Sequence, residues 1–213
     1  MVLPLLVFYE AGLLIVGHRA MNGADFVTQN ILLYGGRTGF IILNVLLVAG
    51  FVAAVTHLRK RGTLDWRFFG PLAAESALYA LSLGTIVIFV MRKAHLLDVG
   101  DPLEGTGVLT RLVVSAGAGM HEELVFRLLM IPAIAAAWRF LPVIGGKASA
   151  IPAAVILSSV LFSLAHFMAE PFGWHPFWFR TFAGLGFAMI YALRGFAVAA
   201  WTHALYDVYV LVL

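Results

Sequence analysis

Glu122 and Glu123 are adjacent in an otherwise apolar stretch of this chain, and Arg127 follows close behind them. An ionised side chain at the middle of a bilayer costs about 2.5–3.5 kcal/mol on insertion scales. Such groups therefore occur on membrane helices where they pair with each other, line a wet cavity or carry out chemistry. The pattern predicts an internal polar site around these three residues.

Two later apolar segments carry polar pairs with helical spacing. Phe162 precedes His166 by four positions, and His203 precedes Asp207 by the same interval. Residues four apart share one face of a helix, about 6 Å apart along its axis. Because polar side chains on membrane helices face the bundle interior, we expect one shared cavity. Glu122, His166, His203 and Asp207 are predicted to project into it.

This set of side chains suits the activation of water. Peptide hydrolysis needs a base for the attacking water, a group that stabilises the oxyanion and a site with little competing solvent. Two histidines and a carboxylate are equally a ligand set for catalytic zinc or another divalent metal ion. The chain lacks the His-Glu-x-x-His pattern of many zinc proteases. The residues alone leave the metal-free and the metal-dependent mechanisms open.

The remaining charged residues in apolar segments are predicted to be structural. Glu123 lies four positions before Arg127, the favoured order for an ion pair on a helix, so we interpret this pair as architectural. Glu10 and Glu75 are interpreted as interhelical contacts, with Arg111 or Arg180 as candidate partners. His121 is left out of the site, because a direct neighbour of Glu122 points about 100° away on a helix.

The composition indicates what surrounds the site. Hydrophobic residues make up 62% of the 213 positions and charged residues only 12%, which is unlike a soluble domain. The absence of cysteine excludes disulfides, thiolate catalysis and cysteine-ligated zinc. A net charge of +3 is typical of the basic loops of a membrane protein. No basic run is interleaved with aromatic residues, so a nucleic-acid partner is not expected.

Apolar runs of membrane-spanning length predict an all-α transmembrane bundle of six to eight helices. We expect one integral membrane domain over residues 1–213, with N-terminal helices in 1–105 and a catalytic core in 106–213. One segment, Gly107–Phe140, is too long for a single upright span. It is predicted to be either a tilted helix or an interfacial piece followed by a span. The other predicted spans are Val2–Val16, Gly39–Leu58, Pro71–Met91, Ile151–Met168, Phe177–Leu193 and Phe196–Leu213.

The distribution of basic residues predicts the orientation in the membrane. Basic residues concentrate in cytoplasmic loops, and the strongest cluster follows the second predicted span. With that loop inside, the cytoplasmic side holds Arg59, Lys60, Arg61, Arg67, Arg139, Lys147 and Arg194. The opposite side holds Arg19, Arg37, Arg92 and Lys93. Seven basic residues on one side against four on the other predict that the first side is cytoplasmic. The predicted cavity then opens toward the outer face of the membrane.

The three motifs, in this order, resemble those of the CPBP family of CAAX prenyl endopeptidases and bacteriocin-processing enzymes, also called the ABI family. The resemblance covers Met120–Val208. It implies an intramembrane glutamic endopeptidase with a conical cavity open to one leaflet. The family has Asn or Asp at the end of its third motif. The Asp207 of this chain, when ionised, cannot donate the hydrogen bond that Asn donates in some members.

The resemblance also implies a role for each site residue. Glu122 would deprotonate a water molecule that it shares with His166, and His203 would stabilise the oxyanion. Asp207 would orient His203, or donate a hydrogen bond if protonated. Glu123, Arg127 and Phe162 would support the site. No cofactor is expected, and zinc held by Glu122, His166 and His203 is the alternative.

The predicted substrate is a membrane-anchored or exported protein. A cavity that opens outward argues against cytosolic prenyl-protein processing. It favours cleavage near the outer leaflet of a bacterial inner membrane, such as the removal of C-terminal sorting tails by myxosortase-like members. A non-proteolytic immunity or scaffold protein of the same family is the first alternative. A proton-coupled transporter is a weaker one, since the chain shows no internal repeats. The lipid bilayer is the other expected partner.

Overall fold

A computed structural model describes residues 1–61, 66–94, 103, 105–141 and 146–212 of the protein. All regular secondary structure in these residues is helical, which confirms the predicted all-α bundle. The helices are α1 (Leu3–Val16), α2 (Phe26–Lys60), α3 (Phe69–Lys93), α4 (Val108–Gly117), α5 (Met130–Trp138), α6 (Lys147–His166), α7 (Trp174–Arg194) and α8 (Phe196–Val212). Short 3₁₀ turns cover His18–Ala20 and Trp66–Phe68. Leu213, at the end of the last predicted span, lies outside the described residues, as do the side chains of Arg19 and Lys147.

The segment between α4 and α5 is helical throughout, with a widened hydrogen-bond pattern. Ala118–Glu122 and Leu124–Leu129 form π-helical turns, and Glu123 between them keeps helical backbone angles. The segment predicted over Gly107–Phe140 is thus one uninterrupted helix rather than two separate pieces. π-Helical turns are uncommon and occur mostly at functional sites. Here they carry the first motif.

Helix α2 has two parts on either side of Gly36, and the second part begins at Arg37, two residues before the predicted span at Gly39. The first part, from Phe26, was not predicted. The carboxylate of Asp25 caps it by accepting a hydrogen bond from the backbone N–H of Thr28 at 3.0 Å. A kink at Gly36 (φ 57°, ψ −158°) separates the polar first part from the apolar run. Arg37, which we assigned to an outer loop, lies within this helix. Hydropathy alone missed the first part, because Thr28, Gln29 and Asn30 interrupt its apolar residues.

The described residues form seven helices when the continuous run from α4 to α5 is counted as one, which agrees with the six to eight predicted. Three of them are long and apolar enough to cross a membrane by length and composition. They cover Phe26–Lys60, Phe69–Lys93 and Ala148–His166. Helices α1 and α8 are apolar but have only 14 and 17 residues.

Helix α8 lies at the centre of the bundle, in contact with α3, α4, α7 and the first π-helical turn. Small residues allow this close packing, since Ala199, Ala200 and Ala204 are all buried. A Cβ atom on Gly119 would lie 2.5 Å from the carbonyl oxygen of Ala200. The first motif therefore touches α8 backbone against backbone.

One ion pair lies at each end of the bundle. Arg194 binds Glu75 through two hydrogen bonds of 2.5 and 2.9 Å, which joins the end of α7 to the start of α3. At the opposite end, Arg180 pairs with Glu170. Glu75 thus pairs with Arg194 instead of the predicted Arg111 or Arg180. Glu10 contacts α2, where it accepts hydrogen bonds from Thr28 and Asn44.

Candidate active site

The structure places all four predicted site residues at one point inside the bundle. Oε2 of Glu122 lies 4.0 Å from Nε2 of His166 and 3.9 Å from Nε2 of His203. Oδ2 of Asp207 lies 3.7 Å from the same nitrogen of His203. These gaps are longer than a direct hydrogen bond and suit a water molecule between the groups.

Three elements bring these residues together. Glu122 ends the first π-helical turn, and His166 is the last residue of α6. His203 and Asp207 lie on one face of α8. The ring of Phe162 packs edge-on against both histidines, with ring centroids 5.1 Å from His166 and 5.8 Å from His203. Phe162 therefore sets the spacing between the two imidazoles.

The hydrogen bonds of the histidines point both Nε2 atoms toward Glu122. Nδ1 of His166 bonds to the carbonyl oxygen of Phe162 at 2.9 Å. Nδ1 of His203 bonds to Oε1 of Glu123 at 2.7 Å. Because carbonyl and carboxylate oxygens accept hydrogen bonds, each Nδ1 carries a proton. Both Nε2 atoms are therefore left to face the cavity.

Glu123 and Arg127 form a fully buried ion pair behind the site, with 3.0 Å between Oε1 and Nη1. Arg127 also donates a hydrogen bond to the carbonyl oxygen of Gly184 at 3.1 Å, and its guanidinium lies 4.5 Å above the ring of Phe162. The same Glu123 oxygen accepts the hydrogen bond from His203. Glu123 thus orients the imidazole that we expected Asp207 to orient. Asp207 lies on the cavity side of that ring.

Asn22 is a site residue that the sequence reasoning missed. Its Nδ2 donates a hydrogen bond to Oε1 of Glu122 at 2.7 Å, across 100 positions of sequence. It lies in the loop between α1 and α2, outside every predicted span and motif. The helix-capping residue Asp25 indicated in the sequence where this loop ends and α2 begins. No local pattern indicated that the loop faces Glu122.

A cavity of about 980 Å³ contains these groups. Its walls are mainly apolar, and its polar lining includes the four site residues together with Asn22, His175 and the pair of Glu170 and Arg180. The residues that line the cavity come mainly from the loop after α1, the first π-helical turn, the end of α6, the start of α7 and α8. The basic end of α2 lies at the other end of the bundle, since Val55 and Leu58 lie beside Leu3 at the start of α1. The apolar part of the lining includes Val114, Ala118, Val125, Phe126, Phe162, Ala165, Phe179, Phe187 and Val210.

The carboxylate of Glu122 and the two imidazoles are spaced more widely than the ligands of a bound zinc ion. Zinc bound to nitrogen and oxygen at 2.0–2.2 Å requires ligand atoms only about 3.4 Å apart. The carboxylate of Glu122 lies 3.9 and 4.0 Å from the two imidazole nitrogens. Within the described residues, three potential ligand side chains lie within 4.8 Å of one another only at Glu10, Asp25 and His121. His121 therefore belongs to that separate buried cluster, beside Asp25 at 3.6 Å.

Comparison of the sequence with models of known protein families gives one match. The model of the type II CAAX prenyl endopeptidases, Rce1-like, matches residues 104–209. The match includes all three motifs and leaves out Asn22. No curated protein and no solved structure matches the chain.

Proposed function

Because the chain belongs to the CPBP family of CAAX-type intramembrane proteases, we propose that it cleaves a peptide bond with water activated by Glu122. The observation that carries this proposal is the convergence of one carboxylate oxygen and two imidazole Nε2 atoms. Oε2 of Glu122 lies 3.9 and 4.0 Å from His203 and His166. A water molecule bound among these atoms is held next to a base, in a cavity with apolar walls.

In the first step, the water molecule attacks the scissile carbonyl carbon. Glu122 takes one proton from the water as the new C–O bond forms, and the bare Nε2 of His166 accepts a hydrogen bond from its second proton. The oxyanion develops toward His203. Carboxylates lie at both nitrogens of that ring, Glu123 at 2.7 Å and Asp207 at 3.7 Å, so a positive charge on it is compensated.

In the second step, the tetrahedral intermediate collapses. The C–N bond breaks, and Glu122 returns its proton to the leaving amine. The products are a new carboxyl terminus and a new amino terminus, and Glu122 is ionised again. The steps as proposed need no metal ion.

The cavity supports a substrate with an apolar segment. Its volume of about 980 Å³ and its apolar walls suit several residues of extended peptide or a lipid-modified tail. The basic end of α2 lies at the opposite end, so the positive-inside rule predicts that the cavity mouth faces outside. We therefore propose a membrane-anchored or exported protein as substrate, with the removal of a C-terminal sorting tail as the reaction.

The test is cleavage by purified protein in proteoliposomes. One probe is an internally quenched peptide with a farnesylated CAAX terminus, and the other is a reporter protein with a C-terminal apolar tail. Glu122→Gln keeps the size of the side chain but removes the base. We expect kcat to fall about 10²- to 10⁴-fold in this variant. We also expect a chelator to leave the wild-type rate unchanged.

Glu75→Gln is the matched control, because it makes the same substitution in an exposed ion pair at the other end of the bundle. Its rate should equal the wild-type rate. Equal cleavage by Glu122→Gln would remove Glu122 from the mechanism. Inactivation by the chelator would indicate a metalloenzyme. A folded wild-type protein that cleaves neither probe would favour the non-proteolytic alternative.

A further inference from the structure

We propose that Asn22 is a positioning residue that holds the Glu122 carboxylate in its reactive orientation. The inference rests on the proposed function of Glu122. It assigns part of the active site to the N-terminal loop between α1 and α2. The family match begins at residue 104, so this loop lies outside the matched region.

The hydrogen bonds of the Asn22 side chain determine which of its atoms faces Glu122. Oδ1 of Asn22 accepts a hydrogen bond from the backbone N–H of Ala24 at 2.8 Å. An N–H group needs an acceptor, so the oxygen of the amide points into the loop. The NH₂ group therefore points at Oε1 of Glu122, to which it donates at 2.7 Å.

The main chain of Asn22 is held just as firmly. Its N–H donates to the hydroxyl of Tyr9 at 2.9 Å, and that hydroxyl donates to the carboxylate of Asp25 at 3.1 Å. The side-chain amide of Gln29 donates to the carbonyl oxygen of Asn22 at 3.1 Å. Tyr9 is completely buried. A rigid loop thus presents the amide to the carboxylate.

The consequence for catalysis follows from the two oxygens of Glu122. Oε1 is occupied by Asn22, while Oε2 faces His166 and His203. Without the amide, the carboxylate is free to rotate about its terminal bond and to share both oxygens among the neighbouring donors. Catalytic groups must be held close to their reactive geometry. Asn22 therefore selects the oxygen that acts as the base.

The experiment measures kcat and KM of Asn22→Ala and Asn22→Asp in the cleavage assay described above. Loss of one hydrogen bond to a charged group corresponds to about a 10- to 100-fold effect. We expect kcat of Asn22→Ala to fall by this factor with KM unchanged, and its melting temperature to fall less than that of Tyr9→Phe, because only the bond to the N–H of Ala24 is lost from the loop. The kcat of Asn22→Asp should fall further, because this substitution places a second carboxylate against Glu122. Asn22→Gln, which keeps the NH₂ donor, should regain part of the lost kcat.

Two control variants distinguish an effect on the orientation of Glu122 from an effect on the stability of the loop. Asn30→Ala makes the same substitution at an exposed residue whose amide bonds only within α2, and its kcat should equal that of wild type. Tyr9→Phe removes the anchor of the loop but keeps the amide, so its effect measures loop stability. In the Glu122→Gln background, Asn22→Ala should cause no further loss, because Asn22 acts through Glu122.

Three results would overturn the inference. Wild-type kcat in Asn22→Ala would show that the amide is dispensable. A lowered melting temperature that matches Tyr9→Phe, with the loss confined to KM, would show a purely structural role. A further loss in the Glu122→Gln background would show that Asn22 acts independently of Glu122. If instead Glu122→Gln itself cleaves like wild type, the proposed function fails, and the inference loses its premise with it.

Discussion

At the scale of single residues, the buried pair of Glu123 and Arg127 connects stability to catalysis. Both side chains are fully buried, so their charges depend on each other and not on solvent. Removing one member of a buried pair leaves an uncompensated charge, which costs about 3–5 kcal/mol. Glu123 also holds Nδ1 of His203. Loss of this pair should therefore also disturb the imidazole of His203.

Arg127→Met is predicted to destabilise the protein by about 3–5 kcal/mol and to lower its cleavage rate, because Glu123 is left unpaired beside His203. Thermal unfolding in detergent checks the first effect, and the cleavage assay checks the second. Arg194→Met is the matched control, since Arg194 pairs with Glu75 on an exposed surface. Its melting temperature and rate should remain those of wild type. Equal destabilisation by both variants would contradict this account of the buried pair.

At the scale of elements, the helix from α4 to α5 is the part that positions the first motif. Its π-helical turns present Glu122 to the cavity and Glu123 to α8. Gly119 allows the close approach of the two backbones, since a Cβ atom there would lie 2.5 Å from the carbonyl oxygen of Ala200 and 2.7 Å from Ala204. The distance between Glu123 and His203 thus depends on a residue with no side chain.

Gly119→Ala is predicted to push the first π-helical turn away from α8. Overpacking of this kind typically costs about 1–3 kcal/mol. The cleavage rate should fall as well, because the displacement separates Glu123 from His203. Gly50→Ala in α2 is the control, since a Cβ atom there meets nothing within 4 Å. Thermal unfolding and kcat measured on both variants provide the test, and a Gly119→Ala protein with wild-type stability and rate would refute the prediction.

At the scale of the whole molecule, the two ends of the bundle differ. One end carries the basic loop after α2 together with the pair of Glu75 and Arg194. The other end carries the cavity mouth, where the pair of Glu170 and Arg180 belongs to the lining. Which end faces the cytoplasm decides which substrates can reach Glu122. The excess of basic residues near the first end predicts that the cavity opens outside.

Single-cysteine labelling tests this orientation without further changes, because the chain contains no cysteine. Gly23→Cys places a thiol at the cavity mouth, and Arg61→Cys places one at the basic end. In intact cells, a membrane-impermeant maleimide should label position 23 at once and position 61 only after permeabilisation. The reverse pattern would turn the cavity toward the cytosol and favour a prenylated cytosolic substrate.

The local features of this protein were predictable from sequence. Apolar runs predicted an all-α membrane bundle, and residues four apart predicted which polar side chains share a helix face. The three motifs predicted the family, which the match over residues 104–209 confirms. These predictions succeeded because hydropathy and helical periodicity depend only on neighbours along the chain. The start of α2 was missed, because a polar capped turn carries little hydropathy signal.

The sequence by itself therefore determined the fold class and the family, and it predicted a set of residues that can do chemistry. Only the tertiary structure decided how these residues meet. It brought Asn22 to Glu122 across 100 positions, assigned Nδ1 of His203 to Glu123 and placed Asp207 on the cavity side of that ring. The reason is physical: such contacts depend on how α8 packs against the first π-helical turn and the N-terminal loop. Such packing depends on the complementary shapes of helices that are far apart in sequence, and the spacing of residues along the chain does not reveal it.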